Sequence, residues 1–299
     1  MKQDSLAKFA VISILASIIT LSLKTLAFVL TGSVSLLSDA LESIVNLVAA
    51  TIALLALKVA EKPPDENHMY GHTKAEYFSS IIEGFFITLA AISILYTAID
   101  RFFNPKLIEH ITWGILISAV ASLINYIVAV KLIKIGKKHD SITLEADGRH
   151  LMTDVLTSAG VIVGLIAVII TKINILDPII AILVGINIIF TGYKIIKKSA
   201  LGFMDTAIDA ADINLVNQLF KTYQNHNIVF HGLKTRQSAS RKFISFHVLV
   251  PGSWSVQKGH DFLEKIEKEI RESIPKSTIF THLEPIEDPK SMDDIPLDR

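Results

Sequence analysis

The sequence predicts an α-helical polytopic membrane protein: six transmembrane helices, then a small cytoplasmic α+β domain of order α-β-β-α-β. Three observations predict it. Apolar residues make up 51% of the chain and charged residues only 19%, less charge than a soluble domain of this size carries. Apolar runs long enough to cross a bilayer recur up to about residue 200. Near Asp205 the composition turns mixed and polar. The expected division is therefore 1–204 for the membrane domain, 205–288 for the cytoplasmic domain, and 289–299 for a flexible acidic tail.

The six spans are expected at 9–30, 34–58, 76–100, 110–134, 142–171 and 176–197, each near or above the roughly 20 residues that a bilayer core requires. The opening "MKQDSLAKFAVISILASIITLSLKTLAF" lacks a small-residue cleavage pattern and reads as a retained first span. Charge on the connections sets the orientation. One side carries Lys2, Lys8, Lys58, Lys62, Lys74, Lys131, Lys134, Lys137, Lys138, Lys194, Lys197 and Lys198; the other carries Arg101, Lys106 and Lys172. Positive charge favours the cytoplasmic side, so both termini are expected there, in a multi-pass cell (inner) membrane protein. Lys24 lies inside span 1 and must either snorkel or face a polar interior.

Beyond Asp205, "DINLVNQLFKTYQNH" reads as an amphipathic helix and "NIVFHGLKTRQS" as a strand. "SASR" is a turn into a second strand, "RKFISFHVLVPG". "SVQKGHDFLEKIEKEIRESI" is a helix and "STIFTHLEP" a last strand. This order allows a small sheet with both helices on one face. With no cysteine in the chain, disulfides and thiolate metal sites are excluded. A net charge of zero argues against a nucleic-acid partner.

The chemistry is carried by polar groups in apolar helices. A carboxylate at the centre of a span costs about 2.5–3.5 kcal/mol even on insertion scales, yet span 2 carries Glu42 and Asn46. Their four-residue spacing puts both on one face. Span 5 repeats the device with His150 and Asp154. Facing each other, the two pairs would make a four-ligand pocket whose oxygen and nitrogen donors suit a divalent transition metal. Asn46 alone reads as readily as a hydrogen-bonding residue that ties helices together. Asp39 and Asp147, one turn before each pair, are either an outer attraction site or, as we read them, simply charges interacting with their neighbours.

Two further clusters lie outside the spans. "PPDENHMYGHTKAE" places Asp65, His68 and His72 within eight residues, with prolines that stiffen its entry and Gly71 where a sharp bend is permitted. It is either a compact metal site or a solvated loop. In the cytoplasmic domain His231 and His247 fall on strands expected to pair. His282 and Glu284 share the last strand, and His260 begins the second helix. A binuclear site is one reading of this set; packed or exposed histidines without metal is the other.

"TGSVSLLSDALESIVN", "DENHMYGHTKAE", "EADGRHLMTD" and "FHGLKTRQSASRKFISFHV" together resemble the cation diffusion facilitator family, nearly throughout the chain. The resemblance implies a homodimeric exporter of divalent metal driven by inward proton flow, with a ferredoxin-like cytoplasmic domain. It implies a transport site of Glu42, Asn46, His150 and Asp154, a loop site of Asp65, His68 and His72, and a cytoplasmic binuclear site of His231, His247, His260, His282 and Glu284. Lys74 and Asp205 match a salt bridge that locks the family's dimer near the membrane surface. Zinc members usually carry Asp or His and then Asp at the span 2 pair, where this chain has Glu and then Asn. Glu284 likewise stands where Asp is common. One imidazole with two carboxylates and an amide is a harder donor set, so zinc is joined by iron, manganese, cobalt and cadmium as candidate substrates.

The expected mechanism is antiport. Metal binding requires neutral imidazole and ionised carboxylates and so releases protons. His150 is the expected proton carrier, with Asp154 or Glu42 taking a second. The alternative is a membrane-bound metal receptor that binds without transport. An enzyme is not expected, because the H-E-x-x-H pattern of a helical metalloprotease site is absent. A channel is disfavoured because a strong midplane site would trap the ion.

Overall fold

The computed structural model describes residues 6–31, 34–104, 112–171 and 176–292. Six long helices come first: α1 (Ala7–Thr31), α2 (Val34–Ala60), α3 (Ala75–Phe103), α4 (Thr112–His139), α5 (Ile142–Thr171) and α6 (Leu176–Phe203). The shortest has 25 residues, about 37 Å at 1.5 Å per residue, enough for a hydrocarbon core about 30 Å thick. Among the described residues, Ala7–Ala27, Ala75–Asp100 and Leu116–His139 are long and apolar enough to cross a membrane by length and composition. Helices α4 and α6 outrun their expected ends of 134 and 197: the lysine-rich last turn of α4 stays helical past the apolar stretch, and α6 continues through "SALGF" to Phe203. Of the positions used for orientation, Lys2, Lys106 and Lys172 lie outside the described residues.

Helix α5 is the common element of the first unit. Leu144 and Leu151 join a buried cluster with Ala10 and Ala16 of α1, Leu57 of α2 and Leu132 of α4. Ala146, on another face of α5, packs with Ile87 and Ala91 of α3 and Ile188 and Ile195 of α6. The crossing with α4 is close because Gly148 has no side chain. A Cβ there would lie 2.9 Å from Ile133 N and 3.0 Å from Ala129 O, and small residues are what let membrane helices approach this closely. Large apolar side chains such as Leu15, Val29, Phe85 and Tyr96 stay exposed, as expected of a surface whose solvent is lipid. Lys24 is 2% exposed, so it faces the interior.

The chain divides into two compact units, Met1–Ala200 and Leu201–Arg299. The last turn of α6 bonds to the segment after the helix: Thr206 Oγ1 donates to Leu201 O at 2.6 Å. The second unit holds α7 (Ala210–Tyr223), β1 (Val229–Ser238), β2 (Arg241–Val250), α8 (Val256–Ser273) and β3 (Ser277–Pro285), the expected order. The sheet runs β1-β2-β3, with β1 antiparallel and β3 parallel to β2. Val216 and Phe220 of α7 and Ile266 and Ile270 of α8 pack against Ile244, Phe246, Val248 and Ile279 of the sheet. The tail expected to be loose from Pro289 instead begins with a 3-10 turn, Pro289–Met292, held by Ser291 Oγ donating to Pro285 O at 2.8 Å. Its remainder lies outside the described residues.

Candidate metal-transport site

Three helices converge on Asp154. His150 and Asp154 sit one turn apart on α5, Asn46 on α2 and Asn125 on α4; all four are only 1–2% exposed. The Asn46 side-chain amide donates to Asp154 Oδ2, and the Asn125 amide donates to the same oxygen at 3.4 Å. The remaining donor atoms have no hydrogen-bond partner among the described residues: both ring nitrogens of His150, Asp154 Oδ1, Asn46 Oδ1 and Asn125 Oδ1. Each buried polar group left so costs about 1–3 kcal/mol. The cluster is therefore half satisfied, and a bound cation is one way to offset the burial of its remaining lone pairs. Glu42 lies on α2 one turn before Asn46; its side chain, like that of Asp39, is outside the described residues.

Sequence reasoning misses Asn125. The signal is present, an amide inside "SLINYIVAV", but a lone amide in a span has no spacing partner to mark it. Glu83 of α3 is missed too. It is fully buried, accepts a hydrogen bond from Ser79 Oγ at 2.9 Å, and keeps Oε2 unpartnered among the described residues. Asp147 reads from the sequence as an ordinary interacting charge near its helix start. The structure buries it to 1% exposure, beside Ser13 of α1 and within electrostatic reach of Glu83 of α3.

The loop cluster closes on itself. Asp65 Oδ1 lies 3.0 Å from His68 Nδ1 and Oδ2 lies 3.2 Å from His72 Nε2. Backbone bonds between Asp65 and His68 run in both directions, at 3.3 and 3.2 Å. The chain then turns at Gly71, whose φ of 84° is open to glycine without strain, and Gly71 N donates to His68 O at 2.8 Å. Slight desolvation pushes the Asp65 carboxyl up. The hydrogen bonds from the His68 ring and from the His68 and Asn67 N–H groups outweigh it and hold the group below its ordinary range.

In the sheet, registry does the gathering. His231 pairs with His247 across β1 and β2, and His247 with His282 across β2 and β3. Phe246 and Val248 point into the helix-side core, so the period-2 alternation turns His247 to the opposite face. Glu284 Oε2 lies 3.1 Å from His231 Nε2 and 3.3 Å from His247 Nδ1, and Oε1 lies 3.6 Å from His282 Nδ1. Among the described residues, three or more His, Asp or Glu side chains bring ligand atoms within 4.8 Å of one another at Asp65, His68 and His72 in the loop and at His231, His247 and Glu284 in the sheet. His282 is more exposed than these, and His260 stands exposed on α8, which covers the other face. The structure does not bring His260 to the rest within one chain.

Comparison with known proteins fits this layout. The family model described as the cation efflux transmembrane domain matches residues 10–204, and that of the cation efflux protein cytoplasmic domain matches 208–286. The chain belongs to the cation diffusion facilitator family. It is a cation efflux transporter, a membrane protein with a C-terminal domain built on a small mixed sheet. It is 47% identical to an uncharacterized transporter of Synechocystis sp. over 283 residues, covering 95% of this chain and 91% of that protein. It is 27% identical to protein p34 of Rickettsia prowazekii, covering 92% and 90%. It is 25% identical to the cation-efflux pump FieF of Shewanella oneidensis, covering 92% of each chain.

The pair that the family resemblance marks as a dimer lock is split between the two units. Lys74 precedes α3 as its N-cap residue. Asp205 follows α6 with φ of 55° and accepts from Arg236 Nη1 at 3.3 Å. A second carboxylate near Lys74 has a clear local task. Glu76 is buried and takes hydrogen bonds from Ser141 Oγ and from Thr143 N at 3.4 Å. It thus ties the start of α3 to the first turn of α5, where helix N–H groups favour an anion.

Proposed function

We propose that this transporter exports a divalent transition-metal ion from the cytoplasm in exchange for protons, through a site made by Glu42, Asn46, His150 and Asp154. The observation that carries the reading is the set of buried donor atoms on α2 and α5 that have no hydrogen-bond partner among the described residues. A purely structural hydrogen-bond network would not leave both imidazole nitrogens idle. Imidazole and carboxylate must shed protons to bind metal, and imidazole, with a reference pKa of about 6.5, does so near working pH. That supports proton antiport, with His150 as the first carrier. The donor set of one imidazole, carboxylates and an amide supports zinc, iron(II), manganese or cobalt, with cadmium also open.

In this reading both termini face the cytoplasm of a cell in whose inner membrane the protein lies, and domain 205–288 joins two copies into a homodimer. The loop and sheet clusters bind regulatory metal on the cytoplasmic side, and Lys74 with Asp205 holds the dimer together. The test is metal flux in proteoliposomes with an imposed pH gradient. The expected result is flux that collapses when a protonophore removes the gradient and when His150 and Asp154 are replaced by Ala. Flux that is indifferent to both changes overturns the proposal.

A further inference from the structure

Asn125 is the one residue from α4 among the described residues that reaches Asp154, and neither spacing nor resemblance pointed to it. We propose that Asn125 is a fifth residue of the transport site and biases it toward ions that take more than four ligands. The proposal rests on the transport-site reading above and refines it. Three observations carry it. Asn125 is 1% exposed, on a face of α4 that also carries Ser118 and Ser122. Its Nδ2 converges with that of Asn46 on the same oxygen, Asp154 Oδ2. Its own carbonyl oxygen is buried without a partner among the described residues, as are Asn46 Oδ1, Asp154 Oδ1 and the His150 nitrogens.

A bond made only to hold α4 against α5 would explain the N–H side of this amide, and polar residues in membrane helices do play that part. It does not explain why the carbonyl ends of both amides are left without a partner among the described residues. Two amide carbonyls offer a cation neutral, hard oxygens that cannot be protonated and therefore remain donors at any working pH. Added to His150, Asp154 and Glu42, they bring the residues available to five. That exceeds the four of a tetrahedral zinc site and approaches the oxygen-rich, higher-coordinate sites that suit manganese. Gly148 is what permits the arrangement, since it lets α4 close onto α5 beside His150.

The experiment compares the full-length wild type with His150→Ala, Asn125→Leu and Asn125→Asp. One readout is the ratio of kcat/KM for Mn2+ against Zn2+ in proteoliposomes. The other is the visible spectrum of bound Co2+, taken as a difference from His150→Ala so that the loop and sheet clusters cancel. In the wild type the cobalt bands are expected to be the weak ones of five- or six-coordination. Asn125→Leu is expected to convert them to the intense bands of a tetrahedral site and to move the ratio toward zinc by about tenfold or more, the range lost when a partner of a metal site is removed. Asn125→Asp, which keeps an oxygen in place, is expected to preserve the weak bands and covers the case in which Asn125→Leu fails to assemble. An unchanged ratio and spectrum in Asn125→Leu, or tetrahedral bands already in the wild type or in Asn125→Asp, overturns the proposal. The two failures separate: wild-type transport by His150→Ala defeats the transport-site reading, whereas lost transport there with an unchanged ratio in Asn125→Leu defeats only the role of Asn125.

Discussion

The helical pocket and the sheet cluster use the same side chains to opposite effect. In the sheet, Glu284 already reaches three imidazoles at 3.1, 3.3 and 3.6 Å, on a face open to water. In the loop, Asp65 does the same for two. In such clusters a carboxylate already lies beside each imidazole before any metal arrives. In the helices, Asp154 spends one oxygen on two amides, and His150 has no partner among the described residues. On the proposed reading, the difference marks where an ion would be needed. Partnered, half-solvated groups tune affinity, whereas bare groups out of reach of water make the ion part of what stabilises the state.

The largest effect that this contrast predicts is in the helices. His150→Ala or Asp154→Ala should lower metal-driven flux by on the order of 100-fold or more, since loss of a ligand should exceed the 10–100-fold typical of its outer partners. Flux assays in proteoliposomes check it, and loss of less than about tenfold would erase the distinction. Next comes Glu284→Gln, which removes the anion shared by the sheet histidines. Metal binding at the sheet of the full chain should weaken by about 10–100-fold while flux at saturating metal persists; isothermal titration beside the flux assay separates the two. A smaller effect is expected from Asn46→Asp. It adds a charged, ionisable donor and should shift preference toward zinc by several-fold, read as the zinc-to-manganese ratio of kcat/KM.

The smallest effect is in the loop. The Asp65 carboxyl is held below its ordinary range, so its hydrogen bonds favour the folded loop above the unfolded pKa of about 3.9. That contribution is lost as pH falls through the lower folded value. The loop should therefore keep its Asp65 contacts at pH 5 and lose them only below about pH 4. A carboxyl carbon-13 titration of Asp65 checks this, and a midpoint above about 4 would contradict it.

The split between the two regions also governs how much is legible in the sequence. Helices and strands are legible because apolar runs and alternation report burial directly; α5 is expected at 142–171 and is Ile142–Thr171. The four-residue spacing that repeats in spans 2 and 5 marks Asn46, His150 and Asp154, which the structure buries together, and pairs Glu42 with Asn46 as an expectation. Asn125 and Glu83 have only serines at helical spacing beside them, and only packing shows that α4 brings one to Asp154 and that α3 buries the other. His260 illustrates the converse. Sequence pattern groups it with the strand histidines, but a helix on one face of a sheet cannot deliver it to a row on the other face within the same chain.

The central claim is most directly tested by counting bound ions in the full-length protein in lipid nanodiscs at neutral pH. Equilibrium dialysis against Zn2+ and Mn2+ should show the His150→Ala, Asp154→Ala double variant binding one ion fewer per chain than the wild type, with the loop and sheet sites unaffected. Equal counts in the two proteins would mean that no ion sits between α2 and α5, and the account would fall.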